Sequence, residues 1–487
     1  MKKNNRLYLL GVFLISLFLF QACKKDHVDR ILEKPSREDS KEDLLKDSIY
    51  LYTYYFYLWQ DKLPESFQTR SYKTAEDVLE ALKAYTKDPV TNETLDHYSF
   101  IDRSGAVNEE IQEGRAGSFG FDVRYQNDND LYVKLVNPNS PAALAGIERS
   151  WQILSINGNT KIDNATLEAD NYSFLWNALD ASTIQLTLRK PDNTVIDLTL
   201  QSKTFNINPI LYSAVHKVGA KQVGYFVFDS FVATTTLGNK PTSTKNTLDQ
   251  LFKEFESKQV QEVVVDLRYN GGGAVETAEY LSNMLAPLSV GKDKLMYSYG
   301  INASLNEDED WRSFFAPSNF NKTNSLNINR VYFLVTGGTA SASELLINNL
   351  KPYVDVKLIG EKATYGKPVG FFPWTIMQND LYAVSFKTIN ANGESDYFKG
   401  MLVDKYTSED LTKNWGNPED LMLKEALNYA STGTFTQTIN LQSSIKAKGT
   451  NRENINLNQK LDQHGNKDMF DFRKKVPSKL KDTFLNR

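Results

Sequence analysis

Apolar side chains arrive along this chain in short runs that switch between two periods. Val223 to Phe228, Val263 to Leu267 and Val331 to Val335 are nearly unbroken apolar stretches of strand length, and Val354 to Ile359 is a further strand-like run. That is the pattern of strands covered on both faces. Between and after them the spacing turns helical, over Leu248 to Phe255, through Ala278, Leu281 and Leu285, and through Leu345, Leu346, Ile347 and Leu350. Strands alternating with helices predict an α/β core. Leu381 to Phe386 predicts a further strand and Asp420 to Leu427 a closing helix. Upstream, Leu44 to Leu63 is helical and dense in aromatics, which predicts a small helical N-terminal unit with a buried aromatic face. Residues 302–328 are polar and irregular and read as a surface excursion. After Thr432 the chain is rich in Asn, Gln, Lys and Thr, which predicts a flexible tail.

The N-terminus follows another rule. Lys2, Lys3 and Arg6 precede an apolar run, Leu7 to Phe20, too short for a comfortable membrane span. It ends in Phe20-Gln21-Ala22-Cys23, which resembles a bacterial lipoprotein box, with Phe20 where leucine is usual. Residues 1–22 then form a signal peptide, Cys23 carries the lipid, and the charged residues 23–45 form a tether. The alternative is a simple anchor helix with an incidental cysteine. Because Cys23 is the sole cysteine, the lipoprotein reading is preferred, with a lipid-anchored periplasmic or outer-membrane location and the membrane as a partner.

Composition narrows function by exclusion. The 487 residues are 41% hydrophobic and 24% charged, ordinary for a globular chain of about two to four domains. A net charge of −4 leaves no electrostatic footprint for nucleic acid. One cysteine allows no internal disulfide, and His27, His97, His216 and His464 have no metal-ligand spacing. Oligomeric state is not legible.

Candidate chemistry sits at three places. Ser341-Ala342-Ser343-Glu344 follows a strand and opens a helix; alone it would be a capping box. Tyr365-Gly366-Lys367 follows the next strand and alone would be a surface turn. Asp266-Leu267-Arg268-Tyr269-Asn270-Gly271-Gly272-Gly273 is a glycine-rich turn without the Gly-Lys-Ser/Thr ending of a P-loop.

Together, in this order, these segments closely resemble the carboxyl-terminal processing peptidases, or tail-specific proteases. The resemblance runs from about Asp47 to Leu427 and covers several further segments. Leu44 to Leu63 resembles the helical N-terminal domain of Bacteroidetes-type members. Asp96-His97-Tyr98-Ser99-Phe100 resembles the family's Asp-Pro-Tyr-Ser-Phe, and Lys399 to Asp404 its Gly-Ile-x-Pro-Asp, with Val403 in place of proline. Gly117-Ser118-Phe119-Gly120-Phe121 resembles the carboxylate-binding loop of PDZ domains. Ser140-Pro141-Ala142-Ala143 and Ile153 to Gly158 continue that pattern, with Ser150-Trp151 in place of Gly-Asp. The implied fold is a ClpP/crotonase-like core (203–432) with an inserted PDZ-like domain (113–202), a helical N-terminal domain (46–112) and a polar tail (433–487).

The resemblance implies that Ser341 is the nucleophile and Lys367 the general base. It implies an oxyanion hole from the amides of Ala342 and of Gly271 or Gly272, and recognition of free substrate C-termini at residues 117–121. No histidine lies within 262–372, so a lysine base must be neutralised by burial. No metal or organic cofactor is required. One departure is Phe371, where many members carry a glutamine that orients the lysine. The expected activity is a serine endopeptidase acting near protein C-termini. Two other readings stay open: a non-catalytic peptide-binding lipoprotein that retains the fold, and a crotonase-type acyl-CoA enzyme, against which the signal peptide and PDZ-like unit count.

Overall fold

The computed structural model describes residues 39–436, 457–463 and 468–473. Its centre is a six-stranded sheet. In order across the sheet the strands are Lys405–Tyr406, Asp355–Gly360, Arg330–Val335, Glu262–Asp266, Lys221–Phe228 and Ile210–Val218. The first five pair in parallel; only Ile210–Val218 runs antiparallel, against Lys221–Phe228. The apolar runs are thus the inner strands. Val263, Val264, Val265, Val331, Phe333 and Leu334 are fully buried, and each such side chain contributes about 1.5–3 kcal/mol.

The parallel strands need crossovers, and the helices Ser243–Ser257, Val275–Leu285 and Ala342–Leu350 follow strands of this sheet. Every residue of Ala342–Leu350 is buried, so this helix is a core element rather than an amphipathic one. The helix Leu421–Thr432 covers the other face through Met422, Leu423, Ala426 and Ala430. A second six-stranded sheet runs in the order Gly273–Ala274, Met469–Phe470, Val369–Phe371, Val384–Asn390, Leu295–Gly300 and Ser318–Asn319.

The PDZ-like unit is a five-stranded antiparallel sheet, Phe121–Asn127, Asp130–Val136, Gln152–Ile156, Thr183–Arg189 and Val195–Gln201, with its own hydrophobic core. It is inserted between Arg115–Ser118 and Lys203–Asn206, which pair antiparallel as its stem.

Several expectations shift. The N-terminal helix is Lys41–Phe56, capped by Ser40, so the end of the stretch read as tether is helical. Its aromatics do not build a separate core. Phe56 stacks on Trp374 at 4.0 Å and meets Trp311 at 5.3 Å, within one cluster that includes the peptidase core. The surface excursion 302–328 holds two short helices and buries Trp311, Phe315, Phe320 and Ile328. The stretch 381–386 is two strands, Asn379–Tyr382 and Val384–Asn390. The expected flexible tail is packed at 457–462 and 468–471. The expected signal peptide, Cys23 and most of the tether lie outside the described residues.

Candidate active site

Ser341 is the residue before the helix Ala342–Leu350, with φ 63° and ψ −109°. A non-glycine residue there is strained, and the surroundings must hold it. They do so through neighbouring turns. Ala340 N donates to Asn270 O (3.1 Å), Ser343 Oγ donates to the same oxygen (3.1 Å), and Thr339 Oγ1 donates to Leu267 O (2.7 Å). The Ser341 turn is therefore pinned to the Asp266–Gly273 segment. Ser341 Oγ is itself buried and has no hydrogen-bond partner among the described residues.

Glu344 ties this turn to the lysine turn. Its Oε2 accepts from Ser341 N and Lys367 N, both at 2.8 Å, and its Oε1 accepts from Gly366 N at 2.8 Å and Thr364 Oγ1 at 2.5 Å. Burial pushes this carboxyl up, and the four donors oppose that. Read from sequence, Glu344 was only half of a helix cap; in the fold it fixes both members of the expected dyad.

Lys367 is 1% exposed. Burial lowers its pKa, since the ammonium loses hydration; the neighbouring carboxylates of Asp468, Asp96 and Glu344 oppose the shift. Its Nζ lies 4.2 Å from the Phe371 ring centre and 5.0 Å from that of Tyr98, and pairs with Asp468 Oδ1. Phe371 thus stays beside the lysine as a ring face rather than a hydrogen-bond partner. Tyr98 is set by Asp96, whose Oδ1 accepts from Tyr98 N and Ser99 N at 2.8 and 2.9 Å, and Tyr98 OH donates to Gly366 O at 3.2 Å. His97 next to it has no contact with the dyad in the described hydrogen bonds.

The glycine turn faces the same point. Gly272 has φ 116°, and a Cβ there would lie 3.0 Å from both Ser341 Cβ and Ala342 N. Ala342 N is the first amide of its helix and has no intrahelical acceptor. The Gly272 amide donates to Asn270 Oδ1 at 2.9 Å, whereas Gly273 N, one residue on, donates to the carbonyl of Asp468 at 2.7 Å. Gly271 precedes both, partly exposed. Among the described residues no cluster of His, Cys, Asp or Glu could hold a metal.

At the PDZ-like unit, Gly117 and Ser118 lie in the stem strand, Phe119 is buried, and Phe121 opens the edge strand Phe121–Asn127. Gly120, at φ 77°, lies where a Cβ would meet Ser140 Cβ at 2.0 Å, so only glycine fits. Its amide is taken by Ser118 Oγ (3.0 Å). Behind the edge strand, Arg124, Arg149 and Arg268 converge on Glu409. Arg124 Nε and Arg149 Nη2 each lie 2.9 Å from it and Arg268 Nη1 3.4 Å. Burial would push Glu409 up, but the three guanidiniums outweigh it and hold it down at about 2.

Comparisons with known proteins agree with this geometry. Residues 222–400 match peptidase family S41 and residues 110–171 match the PDZ domain. A carboxyl-terminal-processing protease of the cyanobacterium Picosynechococcus is 26% identical over 381 residues, 76% of this chain and 79% of that protein. The Bacillus subtilis carboxy-terminal processing protease CtpA is 26% identical over 242 residues, 49% of this chain and 45% of its own. A solved Bacteroides fragilis structure described as an S41 protease superposes with a TM-score of 0.63 at 26% identity, over 82% of this chain and all of that one. Residues 222–400 are thus a peptidase family S41 domain with a PDZ domain ahead of it at 110–171, and the chain is similar to serine proteases of the carboxyl-terminal-processing type.

Proposed function

We propose that this peptidase is a Ser341–Lys367 dyad enzyme that cleaves proteins or peptides near their C-termini, with the PDZ domain receiving the substrate's C-terminal end. The observation that carries the dyad is the shared acceptor: Glu344 Oε2 binds the amides of both Ser341 and Lys367.

Neutral Lys367 takes the proton from Ser341 Oγ as that oxygen attacks the peptide carbonyl carbon. The oxyanion forms against Ala342 N and an amide of the glycine turn; each such donor is worth roughly 3 kcal/mol of transition-state stabilisation. The Lys367 ammonium then protonates the leaving amine, the C–N bond breaks and an acyl-serine remains. Water adds with Lys367 again as base, releasing the carboxylic acid and restoring Ser341. The edge strand Phe121–Asn127 suits an added peptide strand, whose main chain would pair with it. The N-terminal Cys23 anchor would hold this activity at the cell envelope.

Labelling with a serine-directed phosphonate tests the reading. The label should sit on Ser341 and be lost in Ser341→Ala and Lys367→Ala. If no folded version of the chain accepts the label, including versions altered in the C-terminal segment, the dyad is overturned and the non-catalytic peptide-binding lipoprotein takes its place.

A further inference from the structure

The C-terminal segment has no part in that chemistry, yet it lies across both peptide-binding surfaces. Met469–Phe470 is the strand between Gly273–Ala274 and Val369–Phe371, parallel to both. Gly273 N donates to Asp468 O (2.7 Å) and Asp471 N donates to Phe371 O (3.1 Å). Two facing strand edges with a gap between them are the slot an extended peptide enters, and here the chain's own residues fill it. A Cβ on Gly272 would lie 2.2 Å from the Asp468 carbonyl oxygen and 3.0 Å from Ser341 Cβ, so a peptide carbonyl rests beside the nucleophile. The Asp468 carboxylate pairs with Lys367 Nζ.

The same segment reaches the PDZ edge. The Asn458 side-chain amide accepts from Tyr125 N and donates to Tyr125 O, both at 2.9 Å, as a bound strand's backbone would. Leu457 and Leu461 pack into the PDZ core. Asp462 pairs with Arg124, and with Lys362 at 3.1 Å. Beyond the slot, Tyr299 OH donates to Asp471 Oδ2 at 2.8 Å and Arg473 holds Glu279 at 2.5 Å.

We propose that residues 457–463 and 468–473 are a resident peptide ligand of this same enzyme, one that occupies the PDZ edge and the cleavage slot together and holds the dyad idle until a substrate C-terminus displaces it. The proposal rests on the dyad reading above. The segment is an inhibitor rather than a substrate because its carboxylate sits on the base. A lysine held as ammonium cannot take the serine proton, so the adjacent Asp468 carbonyl is not attacked. Being intramolecular, the ligand acts at an effective concentration on the order of millimolar, which keeps even a weakly held peptide seated.

The test uses the full chain carrying Asp468→Asn, which keeps the shape and removes the charge, and separately Phe470→Asp, which ejects a side chain 1% exposed. Phosphonate labelling of Ser341 and peptide turnover should both rise by about tenfold, as expected when a tethered ligand is released. A synthetic peptide of residues 457–473 added to Phe470→Asp should restore the low rate. Unchanged rates in both folded variants overturn the proposal. So do lower rates, which would make Asp468 a positioning residue for Lys367. A second arm needs no catalysis: in a Ser341→Ala background, the fluorescent 457–473 peptide should bind the Phe470→Asp chain and not the chain with an intact tail. Equal binding to both, or none to either, overturns the seat. Failure of labelling in every folded chain would instead count against the dyad, leaving the binding arm to decide on the seat.

Discussion

Ser341 and Lys367 are separated by a helix, a strand and a turn, yet their amides donate to one and the same oxygen, Glu344 Oε2, at 2.8 Å each. The two members of the proposed dyad are therefore registered through their backbones, independently of any bond between their side chains. Glu344→Ala would leave the amides of Ser341, Gly366 and Lys367 unpaired in a dry interior, at about 1–3 kcal/mol each. The expected result is a lower Tm and loss of phosphonate labelling. Glu344→Asp should keep part of the stability but retract the acceptor, so its labelling rate should fall by much more than its Tm.

The pH dependence of cleavage follows from Lys367. Burial lowers its pKa, and Asp468, Asp96 and Glu344 raise it again, with the Tyr98 and Phe371 rings beside Nζ. In the proposed dyad the active form is the neutral amine, so activity should rise with pH through the Lys367 pKa. Asp468→Asn removes the strongest of the raising groups and should move that rising limb to lower pH. Lys367→Arg, which stays charged at working pH, should be as inactive as Lys367→Ala. A folded arginine variant cleaving near the wild-type rate would sink the lysine base.

Gly272 offers a steric test. At φ 116° any side chain is strained, and a Cβ would crowd Ser341 and Ala342 at 3.0 Å as well as the Asp468 carbonyl. Gly272→Ala should release the tail segment yet fail to gain activity, because the same methyl group intrudes on the nucleophile. Turnover at the level of Phe470→Asp would remove Gly272 from the site.

Much of this was legible before any coordinates. The strands Glu262–Asp266 and Arg330–Val335 are apolar enough to announce burial on both faces, and the serine, lysine and glycine motifs are segments that the fold brings together. What stayed hidden depends on contacts distant in sequence. Asn270 holds the glycine turn and the Ser341 turn together through Phe228 O, Gly272 N and Ala340 N, but in sequence it is one more turn asparagine. Tyr98 faces a lysine 269 positions away. In the tail's described parts, average polarity hides two local signals of packing, Leu457 and Leu461 at helical spacing and the Met469-Phe470-Asp471-Phe472 cluster. The excursion 302–328 was misread in the same way, its Trp311, Phe315 and Phe320 diluted by polar neighbours.

The proposed lipid anchor has its own test. Cys23→Ser should abolish acyl labelling and shift the protein out of the membrane fraction. Acyl labelling that survives this change would rule out a lipidated Cys23.

Glu409 predicts a measurable acid sensitivity. Its carboxyl is held at about 2, with burial outweighed by Arg149, Arg124 and Arg268. A depressed carboxylate stabilises the fold above its unfolded pKa and loses that contribution as pH falls towards the folded value. Glu409→Gln leaves three buried guanidiniums one negative charge short and should cost about 3–5 kcal/mol, the range for breaking a buried pair. Chemical denaturation at neutral pH would measure it.

Two of the three arginines on Glu409, Arg124 and Arg149, come from the PDZ domain, while Arg268 belongs to the strand end that leads into the glycine turn. A domain inserted at a paired two-strand stem looks like a cassette that recombination could exchange. This one is not freely exchangeable. A foreign PDZ domain would bring a peptide-binding edge but leave Glu409 short of two of its cations in a dry interior. Any lineage that swaps this module has to carry both arginines across, or change Glu409 in the same step.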